Sequence, residues 1–366
     1  MYENETEQVI ENRMLDRVPS DIDKREGSLI YDATMPAAIE LMLLYAVADY
    51  MLKNTFGDTA DREWLIERAK ERGLAPYEAS PATVQLLAVP ASAILPTGSR
   101  YSYDDVNYRV TEYLGAGKYE AVCETAGTVG NKPAGRVIPI EYVQGLQYAE
   151  LTEVISPGED VEDTEAFRAR YLASFETQAY GGNIADYQEK VNAIPGVGGV
   201  KVYPVWNGGG TVKIVFMTSE YKPPAAQFVS QIQEMLDPVP YAQKGVGIAP
   251  IGHRVTVEGV TEQSVSIGLH ITFKDEATWE TYQDDIKQTI SAYLSELNAA
   301  WQSTETVTTA KYENRGITVR ISQIESRLLA RPYVSDISHT TLDGKEENVE
   351  LATEALAALG EVTNGG

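Results

Sequence analysis

The pattern of apolar and polar positions separates a helical beginning from a longer region of alternating strands and helices. Up to about residue 75, apolar residues recur every three to four positions, which predicts helices. We expect a first helix that Asn4 caps. A second helix is expected from about Ser28 to Asn54, interrupted or kinked at Pro36, and a third helix ends at Gly73.

The second of these helices is apolar on nearly every side. One face carries seven apolar residues at spacings of three and four: Ile39, Met42, Leu43, Ala46, Val47, Tyr50 and Met51. Such a helix must be surrounded by protein, and its two short, charged neighbours offer little cover. We therefore expect the remaining apolar positions, Leu41, Leu44, Tyr45 and Ala48, to contact another subunit. The alternative is that the β-rich remainder of the chain folds back over the helix.

After about residue 75, the pattern of apolar and polar positions changes several times along the chain. These changes predict the domains. Short alternating apolar stretches separated by Gly, Pro, Asn and Asp predict strands, whereas spacings of three and four predict helices. The predicted fold class is α+β multidomain, with an N-terminal helical arm, a small β-domain and two consecutive α+β units. The expected boundaries are 1–80 for the arm, 81–150 for the β-domain, 151–261 and 262–341 for the α+β units, and 342–366 for an acidic tail with one short strand or helix.

Two glycine clusters stand between helical and strand patterns in "GVGGVKVYPVWNGGGTVKIVF" (196–216). A dinucleotide-binding loop needs a third glycine and a following helix, but Lys201 occupies the glycine position and a strand follows. The "NGGG" at 207–210 lies between two alternating runs, which predicts a β-hairpin. In "GNKPAGRV" (130–137), Arg136 and Val137 replace the lysine and the hydroxyl residue of a phosphate-binding loop, so a β-turn is predicted.

The side chains that carry metal or nucleophile chemistry are few and scattered. The three histidines, His253, His270 and His339, lack the spacing of zinc ligands, and the single Cys123 stands in an alternating strand as a small buried residue. The acidic run between Glu159 and Glu165 lacks the order of a calcium loop and is typical of a helix N-terminus. We therefore predict no catalytic residue, no bound metal and no cofactor.

The charge of the chain limits its possible partners. The formal net charge is −24, and no segment is basic, which argues against nucleic-acid binding and against anionic membranes. The apolar run 35–52 contains Pro36, Glu40 and Asp49, which makes it a poor membrane span and favours a buried helix. The first residues lack the pattern of a signal peptide, so synthesis and folding in the cytoplasm are expected.

Several segments together resemble the baseplate J-like family, the baseplate wedge proteins of contractile phage tails, phage-tail-like bacteriocins and defective prophages. The segments follow the family order: "DIDKREGSLIYDATMPAAIEL" (21–41), "FGDTADREWLIERAKERGL" (56–74), "AVCETAGTVGNKPAG" (121–135), "AELTEVISPGEDVEDTEAFRARYL" (149–172), "GGNIADYQEKVNAIPGVGGVKVYPVWNGGGTVKIVF" (181–216), "GIAPIGHRVTV" (247–257) and "VRISQIESRLL" (319–329). The resemblance therefore covers nearly the whole chain.

The resemblance implies a structural role without enzymatic activity. In the family, two copies and a smaller partner subunit form a wedge, and six wedges close into a ring around the hub. The ring joins receptor-binding fibres and their attachment proteins to the sheath-initiating subunits, and its widening triggers sheath contraction. We expect dimerisation through residues 262–341, and the high tyrosine content, 22 Tyr against 6 Phe, is typical of protein interfaces.

A carbohydrate-binding or carbohydrate-cleaving tail protein is the main competing hypothesis. That function would need an aromatic-lined cleft with converging carboxylates. The four tryptophans, Trp64, Trp206, Trp279 and Trp301, are instead spread over different predicted elements. A nucleotide enzyme is a third hypothesis, and the failed glycine motifs argue against it.

Overall fold

The computed structural model describes residues 2, 4–176, 181–274, 277–308 and 311–365. The chain forms two compact units, Met1–Tyr77 with Glu162–Thr177, and Glu78–Val161 with Gln178–Gly366. The first unit is helical and the second combines a barrel with two α+β parts. The α+β multidomain fold class is therefore confirmed.

Four helices make up the first unit: α1 (Glu7–Leu15), α2 (Leu29–Thr55), α3 (Arg62–Lys70) and α4 (Thr164–Glu176). The N-cap of α1 is Thr6, which accepts a hydrogen bond from the Val9 amide, rather than the predicted Asn4. Helix α2 runs through Pro36 as one element. Helix α4 was expected in the first α+β domain, but Phe167 and Tyr171 of α4 pack against α3.

Residues 81–156 form a closed six-stranded barrel with the strand order β1-β4-β3-β2-β5-β6. The strands are β1 (Pro81–Val89), β2 (Arg100–Tyr103), β3 (Val106–Gly115), β4 (Lys118–Ala126), β5 (Gly135–Pro139) and β6 (Tyr148–Ser156). Strand β6 pairs with both β1 and β5 and closes the barrel, so the predicted boundary at residue 150 falls inside a strand. The "GNKPAGRV" segment leads into β5 rather than into a helix, as its sequence indicated.

The first α+β part contains α5 (Ile184–Asn192), β7 (Val197–Pro204), β8 (Thr211–Thr218), α6 (Ala226–Leu236) and β9 (Arg254–Gly259). Strands β7 and β8 are antiparallel and joined across "NGGG", which confirms the predicted hairpin. Gly196 has φ +90° and turns the chain into β7. Gly198 and Gly199 lie within β7, so they belong to the strand and not to the turn before it.

The second α+β part follows directly. Its elements are β10 (Thr261–Phe273), α7 (Trp279–Ala299), β11 (Glu305–Thr308), β12 (Lys311–Asn314), β13 (Thr318–Val319), α8 (Ile321–Leu329), β14 (Val334–Leu342), β15 (Val349–Glu350) and β16 (Ala355–Asn364). Strand β10 lies between antiparallel β14 and parallel β16. Residues 342–366 were expected to form a tail, but β16 is a full sheet strand with Leu356 buried. The buried apolar residues of β16 pack in the same core as those of β10.

One buried lysine joins the two α+β parts. Lys201 of β7 is 0% exposed, and its ammonium donates to Thr304 Oγ1 (2.8 Å), to the Arg315 carbonyl (2.6 Å) and to the Thr353 carbonyl (3.2 Å). The same ammonium lies 4.4 Å from the centre of the Trp301 ring. A buried ammonium is tolerated only where such acceptors replace water. The contacts of Lys201 therefore fix β7 against the second α+β part.

Side chains occupy the outer edges of these open sheets. Along β9, Asp237 accepts from the Val255 amide at 3.0 Å, and Gln233 accepts from the Val257 amide at 2.9 Å. Along β16, the Asn298 amide group exchanges two hydrogen bonds with the backbone of Ala357. These edges thus have backbone groups paired by side chains instead of by another strand.

The Gly198 position predicts a local stability effect. A Cβ atom there would lie 2.3 Å from the Thr218 carbonyl oxygen, whereas a Cβ atom at Gly209 would have no neighbour within 4 Å. We expect Gly198→Ala to lower the free energy of unfolding by about 1–3 kcal/mol, as overpacking does. Gly209→Ala is the control and should change it by less than about 0.5 kcal/mol in urea titrations. Equal effects of the two substitutions would contradict the close packing at Gly198.

The Lys201 contacts predict a second effect. Lys201→Met should lower the free energy of unfolding by about 2–4 kcal/mol, because three oxygen acceptors around the buried side chain lose their charged donor. Lys222→Met is the matched control, since the Lys222 side chain is 65% exposed beside Glu220. Urea titration followed by Trp301 fluorescence measures both variants. A Lys201 variant as stable as the control would show that the ammonium does not hold the two parts together.

Candidate assembly surface

Helix α2 exposes most of its apolar residues. Of its 27 residues, only Ala38 and Asn54 are buried. The sequence predicted a helix that another subunit covers, and in the chain by itself α2 is not buried. An apolar surface of this extent is unusual on a monomer and marks a site of interaction.

Helix α1 covers one side of α2. Ile10 and Leu15 of α1 are buried, and Ala38 of α2 is buried with them. Further along the same side of α2, the Tyr45 ring lies 5.2 Å from the Tyr2 ring and 5.9 Å from the Arg13 guanidinium carbon. Tyr45, which was predicted to contact another subunit, is therefore half-buried by contacts within its own chain.

The opposite side of α2 carries an exposed apolar stripe. Its members lie at helical spacing and are between 49% and 63% exposed: Leu43, Leu44, Val47, Tyr50 and Met51. Of the other predicted contact residues, Leu41 is 38% exposed and Ala48 is half-buried at the flank of this stripe. Of the four predicted contact residues, only Leu44 belongs to this exposed stripe. The regular spacing of Leu43, Val47 and Met51 was visible in the sequence, but it suggested the covered face.

A groove runs beside this stripe, between the start of the chain and α2. It has a volume of about 680 Å³ and is lined by Tyr2, Glu5, Thr6, Met42, Ala46, Asp49, Tyr50, Leu52, Lys53 and Thr59. Its lining combines apolar side chains such as Met42 and Leu52 with the carboxylates of Glu5 and Asp49. Lys53, another lining residue, donates to Asp61 at 2.6 Å, which lowers the pKa of the Asp61 carboxyl. The groove thus has the mixed apolar and acidic lining that suits an amphipathic helix.

The other residues singled out in the sequence are engaged in folding contacts. The Tyr187 hydroxyl and His253 Nδ1 are 2.9 Å apart, and Cys123 is buried, which raises the pKa of its thiol. Among the residues that the structure describes, no three His, Cys, Asp or Glu side chains are placed to hold a metal ion. Trp301 is fully buried, whereas the Trp64 indole donates to the Tyr50 hydroxyl in the helical unit.

The acidic residues between Glu159 and Glu165, which were predicted to cap a helix, make several different kinds of contact. Asp163 accepts hydrogen bonds from the Glu165 and Ala166 amides at the start of α4, which lowers the pKa of its carboxyl. Glu162 pairs with Arg170, and Asp160 accepts from the Thr128 amide. The capping interpretation therefore holds for Asp163, while its acidic neighbours brace other segments.

Sequence comparison assigns the chain to a known class. Its residues 83–158 match the Baseplate J-like protein barrel domain, residues 179–259 match the Baseplate J-like central domain, and residues 265–365 match the Baseplate J-like protein C-terminal domain. The chain therefore belongs to the Baseplate J-like family, as the resemblance predicted. It is a baseplate protein of the kind found in phages and prophages.

Individual relatives agree with this family. An uncharacterized protein of Bacillus subtilis strain 168, YqbT, is 34% identical, and XkdT of the phage-like element PBSX in the same strain is 32% identical; each match covers 99% of this chain and 98% of the relative. Baseplate protein gp47 of Escherichia phage Mu is 24% identical over 58% of this chain and 60% of its own length. A cryo-EM structure of the anti-feeding prophage baseplate aligns over 97% of this chain and 90% of its own, at a TM-score of 0.42 and 10% identity.

Helix α2 is also long and apolar enough to cross a membrane by length and composition. Core helices of soluble proteins pass the same criterion, but α2 is largely exposed in this chain. A lipid surface and a protein surface are therefore the two environments that would cover its stripe.

Exposure within the arm predicts a contrast between two substitutions. Leu44→Ala should change the stability of the arm by less than about 0.5 kcal/mol, because the side chain is 62% exposed. Ile10→Ala should cost about 2–5 kcal/mol, because Ile10 is 1% exposed between α1 and α2. Amide hydrogen exchange of residues 29–55 in the isolated chain measures both. A Leu44 variant that exchanges as fast as the Ile10 variant would mean that the stripe is already packed.

Proposed function

We propose that this baseplate protein is a structural wedge subunit of a contractile tail. Two copies of the chain and a smaller partner subunit form a wedge, and wedges close into a ring around the hub. The ring couples receptor-binding fibres, through their attachment proteins, to the sheath initiator and so to sheath contraction. The protein acts without catalysis, and it is assembled into the particle after synthesis in the bacterial cytoplasm.

The exposed stripe on α2 is the observation that carries this proposal. Burying one large apolar side chain contributes about 1.5–3 kcal/mol, so five such side chains make a strong driving force for association. The stripe has the three-and-four spacing that packs against other helices in a bundle. Leu41, Leu44 and Ala48 are the proposed intersubunit contacts from the sequence, and Leu43, Val47 and Met51 extend them.

Other properties of the chain support the rest of the proposal. The net charge of −24 disfavours nucleic acid, and Glu40 and Asp49 on α2 disfavour insertion into a bilayer. The second α+β part, with its own core around Ile290 and Trp301, is the proposed dimerisation unit. Family membership supports contacts with other baseplate components, whereas the particular partners are taken from the family resemblance.

The stripe predicts a defect that is specific to assembly. The triple variant Leu43→Ser, Val47→Ser, Met51→Ser should fold as a separate chain, because all three side chains are exposed, but it should not form tail baseplates. Particle counts by negative-stain electron microscopy, after complementation of a deletion of this gene, should fall at least about tenfold, which corresponds to about 1.4 kcal/mol. The control Glu40→Ser, Glu67→Ser, Lys70→Ser changes three exposed polar residues of the arm and should assemble normally.

Two results would contradict the wedge role. One is normal particle formation by the apolar triple variant. The other is cryo-electron microscopy of assembled particles in which α2 stays uncovered. Flotation of the purified chain with phosphatidylcholine and phosphatidylglycerol vesicles, lost in the triple variant, would assign α2 to a membrane instead.

A further inference from the structure

A second exposed apolar surface lies on the first α+β part, away from the helical unit in the sequence. Two segments form it, the β7–β8 turn and the long loop between α6 and β9. Its six large apolar side chains are between 44% and 82% exposed: Val205, Trp206, Val239, Tyr241, Val246 and Ile251. We call this set the loop patch.

Direct contacts join the two segments of the loop patch. The Arg254 amide donates to the Gly210 carbonyl at 2.8 Å, and the Cβ position of Gly210 lies 3.0 Å from the Gly252 carbonyl oxygen. Within the loop, the Gly252 amide donates to the Gln243 carbonyl at 2.9 Å. The apolar side chains therefore belong to one end of the β7-β8-β9 sheet and not to two separate loops.

Internal hydrogen bonds hold the loop patch in shape. Asp237 is 3% exposed, and its carboxylate accepts from the Gln243 amide (3.1 Å) and from the Val255 amide (3.0 Å), so it braces both ends of the loop. In the turn, the Thr211 hydroxyl donates to the Gly208 carbonyl at 2.7 Å. A surface that is ordered before binding loses less conformational entropy when it associates.

The charge around the loop patch differs from the charge of the whole chain. Asp and Glu account for 54 of 366 residues, yet residues 201–219 and 238–257, which include all six side chains of the loop patch, contain none. Lys244 and Arg254 are exposed beside the patch. Near Trp206, Lys213 pairs with two carboxylates, those of Glu258 and Glu354. The loop patch is thus apolar at its centre and cationic on the side of Lys244 and Arg254.

We propose that the loop patch binds an acidic surface of a second copy of this chain. Two copies that each carry a net charge of −24 repel one another over most of their surfaces, and the loop patch is suited to meet an acidic surface without that cost. Its six large apolar side chains are each at least 44% exposed, and a standard interface needs about 800 Å² from each partner, so the loop patch supplies the apolar centre of such an interface. The exposed Trp206 and Tyr241 supply the residue types that dominate binding energy.

The proposed contact joins two different surfaces, so it is heterologous. Heterologous contacts form a ring where the rotation between copies closes and a filament where it does not, whereas a single two-fold contact stops at a dimer. This inference rests on the proposed function, because it requires several copies of the chain in one assembly. It adds a contact between copies that involves neither α2 nor residues 262–341.

The test uses a photo-crosslinking residue in the full chain. p-Benzoylphenylalanine replaces Tyr241, and this chain is mixed with an equal amount of ¹⁵N-labelled chain of unchanged sequence, irradiated and analysed by mass spectrometry. We expect crosslinks from position 241 to an Asp- and Glu-rich segment of the labelled copy. The same replacement at Tyr142, which is 91% exposed on the barrel, should give at least about tenfold less crosslinking between copies.

Charge substitutions test whether Lys244 and Arg254 contribute to the contact between copies. Lys244→Glu with Arg254→Glu should reduce the crosslinking between copies at least about tenfold at low salt, whereas Lys222→Glu, another exposed lysine, should leave it unchanged. The apolar triple variant of α2 should retain the crosslink, which separates failure of this contact from failure of the wedge role. Circular dichroism of each variant establishes that it is folded.

Three outcomes would overturn the proposal. One is crosslinking confined to a single chain or absent. Another is crosslinking to residues 205–251 of the labelled copy, which would show a two-fold contact between identical surfaces. The third is flotation with phosphatidylglycerol vesicles that is lost in Trp206→Ser, which would show that the loop patch binds lipid.

Discussion

The buried ammonium of Lys201 is the interaction on which the second unit depends. It brings a full positive charge into the space between the two α+β parts, where Thr304, Arg315 and Thr353 supply oxygen acceptors from three separate stretches of the chain. An unpaired charge there would cost several kcal/mol, so all three stretches must be in place together. The sheet of β7, β8 and β9 is consequently packed on both faces, with Phe216 towards α6 and Met217 towards the second part.

The two units differ in how far they bury their apolar side chains. In the barrel and the α+β parts, apolar side chains fill closed cores, and a few remain exposed in the rigid loop patch. In the helical unit, α1 covers one side of α2, and the side with Leu44 and Val47 stays exposed. A chain that folded only for its own stability would not retain such a stripe on a 27-residue helix. The arm therefore makes sense as part of a larger assembly.

Local chemistry was predictable from the sequence, and distant pairing was not. The "NGGG" hairpin follows from glycines that accept positive φ, and Gly208 and Gly210 have φ values of 93° and 80°. Strand β16 was mistaken for a tail because its small, acidic-flanked sequence gives a weak pattern, and its partner β10 lies about ninety residues earlier. No sequence pattern indicates that Lys201 is buried, since a lysine in a strand usually faces solvent.

The predicted contact residues and the exposed stripe lie on the same helix, α2, but are centred on different faces of it. Periodicity shows which residues share a face, but not which face the chain itself covers. Tyr45 packs on Tyr2, whereas Leu43, Val47 and Met51 are exposed to solvent.

The side chains that occupy the outer edges of β9 and β16 have a further consequence. In the proposed ring, many copies of these open sheets would be held at high local concentration, where unpaired edges would invite strand exchange and fibre growth. Because Gln233, Asp237 and Asn298 already pair with the backbone of the edge strands, they would disfavour such irreversible association.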